Sequence, residues 1–167
     1  MKSGPAIING AVAIKTEVAF PRIRQDQPPA HELDAYLLSR GYELIDIIDP
    51  TVWRRHGYVV HPMLSRAPMS YSKGQIIQCD FLYMRHPDKF STEFSVSSDI
   101  VKQKLKAAWI AMSYGYFDRA EDYISDPIVE EFLRDQWKLD WTKDLYDASV
   151  KFGKLARQKA INAQIRG

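Results

Sequence analysis

The chain has one cysteine, Cys79, among its 167 residues. A single thiol excludes an internal disulfide framework and a cysteine-based zinc site, and it is typical of a reducing compartment. No apolar run approaches the ~20 residues that cross a bilayer, and the opening residues lack the long apolar core of a signal peptide. We therefore expect a cytoplasmic protein without a transmembrane segment.

The chain also has little net charge, and it lacks the common catalytic motifs. The net charge is +2, and no arginine-rich run is interleaved with aromatics, so nucleic-acid binding is not expected. The sequence contains no glycine-rich phosphate loop, no nucleophile elbow and no histidine pair at metal spacing. His56 and His61 are candidates for a general base or ligand, although isolated loop histidines more often have no role. No cationic neighbour in sequence would stabilise a Cys79 thiolate, so we interpret Cys79 as a core residue.

The first part of the chain predicts a strand–helix–strand unit. A near-continuous apolar run at Ala13–Phe20 is typical of a strand covered on both faces, and a helix is predicted at Ala30–Arg40. Gly41 supplies a left-handed stop, and a second strand follows at Glu43–Ile48. This order implies a right-handed parallel crossover.

A long excursion and a third strand come next. Asp49-Pro50 ends the second strand, and Thr51–Gly74 is rich in aromatic and basic residues, which indicates a functional loop rather than disorder. A strand returns at Gln75–Arg85. Asp80 lies in the middle of it and needs a partner if it is buried; the arginines of the excursion are candidates.

The composition becomes helical after His86-Pro87. A capped helix beginning at Ser97, Ser98 and Asp99 is broken by Gly115, and Pro127 begins another helix to about Leu139. The stretch Ala108–Ile124 fits either an ordinary helical hairpin, which we prefer, or one tetratricopeptide-type turn. A last helix at Trp141–Ile165 has one apolar face, and its other face is basic. That basic face is either solvated or contacts anionic lipid or a partner. Its apolar face comprises Trp141, Leu145, Ala148, Phe152 and Leu155.

The candidate site residues cluster around the stretch Ala11–Arg24. In a parallel α/β sheet the loops after the strands carry the ligand. This rule selects a set of polar residues near the end of the first strand, Thr16, Glu17, Arg22, Arg24 and Gln25. An exposed ion pair between the acid and the arginines is the alternative interpretation.

Three segments carry a family resemblance: NGAVAIKTEVAF, HELDAYLLSRGYELIDI and GQIIQCDFLYMR. In this order they resemble the C-terminal portion of the FkbM family of S-adenosylmethionine-dependent methyltransferases, over about residues 5–86. The family pattern of a strand closing in Glu-Val-x-Phe matches Glu17–Phe20. Its Gly-Tyr/Phe-x-Leu-x-Asp matches Gly41–Asp46, and its Gln-x-Asp-x-Leu-Phe/Tyr-x-Arg matches Gln78–Arg85.

The resemblance implies an α/β fold. Residues 1–88 would form the C-terminal part of a doubly wound, Rossmann-like methyltransferase sheet, with the last strand inserted antiparallel between its neighbours, and residues 89–167 a helical extension. Glu17, Arg22 and Arg24 would face the methyl acceptor, His56 is a further substrate-binding candidate, and Asp80 and Arg85 would be structural.

The resemblance also implies what the chain lacks. The family's Asp-x-Gly-Ala-Asn-like loop and Ile-Asp-x-Glu-Gly-like strand, which hold the cofactor, have no counterpart here. We expect the substrate-side portion of an O-methyltransferase, inactive alone, that binds no S-adenosylmethionine or metal by itself. The truncated sheet predicts a homo-oligomer or a complementary chain. The alternative is a non-enzymatic interaction module that uses the helical extension.

Overall fold

The computed structural model describes residues 8–21, 27–54, 56–57, 70–93 and 97–166. The fold class is mixed α/β, as predicted. A 3₁₀ turn at Pro87–Lys89 and a π-helical turn at Leu133–Trp137 supplement the strands and helices. These are β1 (Ala13–Ala19), α1 (Ala30–Ser39), β2 (Tyr42–Trp53), β3 (Gln75–Arg85), α2 (Phe90–Glu93), α3 (Ser97–Tyr114), α4 (Phe117–Ile124), α5 (Pro127–Phe132) and α6 (Trp141–Arg166).

The chain divides into two compact units. Residues 14–84 form a sheet unit, and residues 1–13 together with 85–167 form a helical unit. Ala13, the first residue of β1, and Arg85, the last residue of β3, therefore belong to the helical unit.

The three strands form an antiparallel sheet in the order β1–β3–β2. The amide of Phe20 donates to the carbonyl of Ile77 at 2.9 Å, and the amide of Arg85 donates to the carbonyl of Val12, also at 2.9 Å. Both bonds give the same antiparallel register between β1 and β3. The expected insertion of the third strand between the other two is confirmed for these strands.

Element boundaries in the sheet unit agree with the sequence except at β2. The strand Gln75–Arg85 is as predicted, and Gly41 has the left-handed φ of 77° expected of the stop after α1. The prediction that Asp49-Pro50 ends β2 is wrong, since the strand continues to Trp53. Asp49 adopts a φ of 50°, and β2 lies at an edge of the sheet, where a proline is tolerated.

One face of the sheet packs under α1. In the register of β1 and β3, Thr16, Val18 and Phe20 share a face with Cys79 and Phe81. Phe20 and Phe81 meet edge to face at 6.1 Å. Tyr83, on the same face, donates from its hydroxyl to Asp34 of α1 at 3.0 Å. Cys79 is 2% exposed, as the sequence predicts.

In the helical unit, α3 and α4 form the predicted hairpin. The helices meet through small and aromatic side chains that are fully buried, among them Ala107, Ala111, Ala120 and Tyr123. Gly115 joins them with a φ of 91°, and a Cβ at that position would lie 2.6 Å from the Phe152 ring. Glycine is therefore required at this turn on two grounds, the backbone conformation and the close approach.

One of the later helices differs from prediction. The helix that begins at Pro127 ends at Phe132 and continues as the π-helical turn, after which Lys138 is left-handed with a φ of 51°. The last predicted helix is present as α6, and the burial of its apolar face changes along its length: Leu145 is 8% exposed, whereas Leu155 is 65% exposed.

Candidate functional site

The structure describes two of the four predicted substrate-binding residues. Glu17 is exposed in β1, and His56 is exposed beyond the end of β2. Arg22 and Arg24, with Gln25, lie outside the described residues. Glu17 is thus the predicted residue around which a site can be built.

Three polar side chains on β1 and β3 lie beside Glu17, and together with it they form what we call the strand cluster: Lys15, Glu17, Gln78 and Asp80. The Lys15 Nζ lies 2.9 Å from the Asp80 Oδ2. The Gln78 Nε2 donates to the Glu17 Oε2 at 3.5 Å. The register places all four on the face opposite Phe81 and Tyr83.

The strand cluster contains two acids in directly opposed positions. Because Phe20 pairs with Ile77 and Val12 with Arg85, Glu17 faces Asp80 across the two strands. Like charges at opposed positions are unfavourable. The ammonium of Lys15 offsets that repulsion, and it lies diagonally across from Asp80, within reach of a long side chain.

The partner of Asp80 corrects one expectation. Arginines of the excursion were the expected partners, but Lys15 on the neighbouring strand pairs with the carboxylate. The side chain of Asp80 is 29% exposed and that of Lys15 is 43% exposed, so the pair is open to solvent. The expectation of a β1 buried on both faces is accordingly wrong at Lys15 and Glu17.

The cluster can accept a hydrogen bond from a hydroxyl or amine through the carboxylate of Glu17, since the carboxylate of Asp80 is paired with Lys15. Its four side chains are polar, and none of them is an aromatic ring. No grouping of three metal-binding side chains occurs in the described ranges. The chemistry that these four side chains offer is the orientation of a polar substrate group.

Sequence reasoning missed Lys15 as a member of this site. The available signal was the two-residue period of strands, which places Lys15 with Glu17 and Gln78 with Asp80 on single faces. Joining these two pairs requires the register between β1 and β3, which no local pattern supplies.

Arg85 has a structural role. It is fully buried, and its guanidinium donates to the carbonyls of Ile8, Asn9 and Ala11 at 3.2, 2.8 and 3.2 Å. The Tyr123 hydroxyl donates to the Arg85 carbonyl at 2.6 Å. Burial raises the pKa of the Tyr123 hydroxyl, which therefore remains a donor. This network holds the segment before β1.

Cys79 has the properties of a core thiol. Burial, and then the charge of Asp80, raise the pKa of Cys79. A thiol so placed forms little thiolate at neutral pH and is a poor nucleophile.

No family model, curated protein or solved structure matches this chain. Among the described helices, none combines the length and the apolar character needed to cross a membrane.

Proposed function

We propose that this chain is the substrate-side portion of an FkbM-like O-methyltransferase. The observation that supports this most strongly is the strand order β1–β3–β2, with β3 antiparallel between the other two. The three motif segments of the resemblance cover β1, then α1 with the beginning of β2, and then β3, and Glu17 and Asp80 share one face.

In this proposal the strand cluster orients the methyl acceptor. Glu17 offers an exposed carboxylate to a hydroxyl of the acceptor, while Lys15 keeps Asp80 paired and unavailable. Arg22 and Arg24 remain predicted acceptor contacts. The cofactor side is supplied by polypeptide other than these 167 residues, because the family's cofactor-binding motifs have no counterpart among them.

The first test measures the chain alone. Calorimetry with S-adenosylmethionine should detect no one-to-one complex with a dissociation constant near ~1 µM, about −8 kcal/mol. Methyl transfer from radiolabelled cofactor should likewise be absent. Robust transfer by the chain alone would contradict the proposal.

The decisive test adds the missing half. The genomic sequence immediately upstream of Met1 should encode the glycine-rich cofactor loop, and the joined polypeptide should transfer methyl groups. Glu17→Gln should then raise the KM for the acceptor by about fivefold, the loss of one charge-assisted hydrogen bond, with cofactor affinity unchanged. The matched control is Glu32→Gln, because Glu32 is an exposed acid on α1.

A non-enzymatic interaction module is the second candidate, and it is favoured by the end of α6. Residues 151–162 are exposed, and they carry apolar and basic side chains together, including Leu155, Ile161, Lys151 and Lys154. Absence of any cofactor loop upstream, with a stable complex lost on Leu155→Glu, would favour this function over methyl transfer.

A further inference from the structure

The sign of the charge changes along α6. The acids of the chain end at Asp147. Residues 151–162, which we call the basic helix end, are exposed throughout and contain no acid. They carry four cations, Lys151, Lys154, Arg157 and Lys159. The exposed positive charge of α6 is therefore concentrated beyond its packed first half.

The chain itself does not balance these cations. In the part of the chain that the structure describes, the ion pairs include none of the four. Lys151, Lys154 and Arg157 follow one another at three-residue spacing, which makes like charges neighbours on the helix surface and is unfavourable. The helix dipole favours cations only within the last turn, and α6 continues to Arg166. The charge is thus available to an anionic partner.

Exposed apolar side chains lie between these cations. Leu155 is 65% exposed, and Lys151 and Lys159 lie one turn before and one turn after it on the same side of the helix. Ile161 is 38% exposed and lies one turn after Arg157. Long basic side chains can reach the phosphates of lipid headgroups while an apolar neighbour enters the layer below them.

The known cavities of the helical unit do not extend to this segment. Two cavities, of about 330 and 320 Å³, are lined along α6 no further than Leu145 and Ser149, respectively. Their shapes therefore contribute nothing to recognition by the basic helix end, which relies on charge and on its exposed apolar groups. A bilayer with acidic headgroups matches both, since its negative surface attracts lysine and arginine and its headgroup layer accepts apolar side chains. An acidic peptide supplies the charge, but its carboxylates do not bury Leu155.

We propose that the basic helix end binds the surface of a bilayer that contains anionic phospholipid. The four cations pair with the headgroups, and Leu155 enters the headgroup layer between Lys151 and Lys159. The exposed acids Asp144 and Asp147 are repelled by the same surface, so the contact ends before them. This inference does not rest on the proposed methyl transfer, because it concerns only α6.

The experiment measures co-sedimentation of the full chain with sucrose-loaded vesicles of two compositions. One is phosphatidylcholine alone, and the other is phosphatidylcholine with phosphatidylserine. We expect saturable binding to the anionic vesicles and at least about a hundredfold weaker binding to the neutral ones, because each cation near an anionic surface contributes about fivefold. Raising the ionic strength from ~0.1 to ~1 M shortens the Debye length from about 10 to about 3 Å, and should remove most of the binding.

Matched variants locate the contact. The double variant Lys151→Gln with Lys154→Gln should bind the anionic vesicles about twentyfold more weakly, and glutamine preserves the helix. Leu155→Ala should weaken binding about fivefold, because the apolar carbons beyond Cβ no longer enter the headgroup layer. The control is Lys102→Gln with Lys106→Gln, which makes the same change of charge at two exposed lysines of α3 and should bind as the parent chain does. Circular dichroism of each variant checks that the helices are retained.

Four results overturn the proposal. They are equal binding to the two kinds of vesicle, no binding to the anionic ones, parental binding by the double variant of the basic helix end, and parental binding by Leu155→Ala. Titration with polyglutamate distinguishes the other class of partner. Tighter binding of polyglutamate than of anionic vesicles, unaffected by Leu155→Ala, would mean that an acidic protein segment is the partner instead.

Discussion

At the scale of single residues, Lys104 is the least ordinary side chain of the helical unit. It is 6% exposed, forms an ion pair with Asp126, and lies 5.7 Å over the ring of Phe90. The other carboxylate oxygen of Asp126 accepts from the amide of Ile128 at 3.0 Å and so caps α5. One carboxylate therefore neutralises a buried lysine and begins a helix.

Asp126→Asn separates these two roles, since asparagine keeps the cap but not the charge. We expect the free energy of unfolding to fall by about 2 to 3 kcal/mol, because Lys104 is left buried and uncompensated. Urea denaturation measures this. The double variant Lys104→Met with Asp126→Asn should recover most of the loss, and a double variant as unstable as Asp126→Asn would contradict the role of the pair.

The same carboxylate predicts a pH dependence. Burial raises the pKa of Asp126, but hydrogen bonds from Lys104 and from the amide of Ile128 lower it more, so that it lies below its ordinary value of 3.8. The unfolded chain then binds more protons, and stability rises with pH in this range. The contribution of the pair should be complete above about pH 5 and be lost as the pH falls through the lowered folded value. Urea midpoints at decreasing pH should converge for the parent chain and Asp126→Asn.

At the scale of elements, the sequence was sufficient where the signals were local. Gly41 and Gly115 marked the ends of α1 and α3, and the alternation in Gln75–Arg85 defined β3. The sequence was insufficient where contacts with other elements determine the local structure. The continuation of β2 past Pro50 depends on its place at a sheet edge, and the π-helical turn has no pattern of its own. The strand cluster was likewise predictable only in part: Glu17 was a predicted site residue and Asp80 a predicted structural one, but Lys15 needed the register.

The two halves of α6 should differ in stability. Leu145→Ala should lower the free energy of unfolding by about 2 to 3 kcal/mol, as expected for a buried leucine, whereas Leu155→Ala should change it by less than about 0.5 kcal/mol. Leu155 serves as the matched control, because it is the same residue type on the same helix and is 65% exposed. Thermal or urea unfolding of both variants distinguishes the halves, and equal losses would mean that the second half is packed in solution.

At the scale of the whole molecule, β1 is an edge strand within the part of the chain that the structure describes. The hydrogen bonds of Phe20 and of Val12 to β3 mean that the alternate residues, including Lys15 and Glu17, direct their amides and carbonyls to the free side. An edge of this kind is a template for association.

We therefore expect the isolated chain to sediment as a dimer or larger assembly through β1. Glu17→Pro removes an outward amide without breaking the ladder to β3, and should weaken association by about tenfold. Thr16→Pro is the control that disrupts the ladder itself. Val18 is unsuitable for this test because it is 2% exposed. A sharp monomer at ~100 µM would exclude pairing through this edge.

Because Cys79 is buried, the rate at which the only thiol of the chain is labelled reports how often β3 opens. A disulfide reagent cannot reach a side chain that is 2% exposed and kept protonated, so the reaction must wait until the middle strand separates from its neighbours. Each chain then releases one equivalent of coloured product, so the absorbance gives the fraction of molecules in which β3 has opened. If a complementary chain extends the sheet at β1, its arrival should lengthen the labelling half-time, whereas a ligand of the helical unit that leaves the sheet unit unchanged should not.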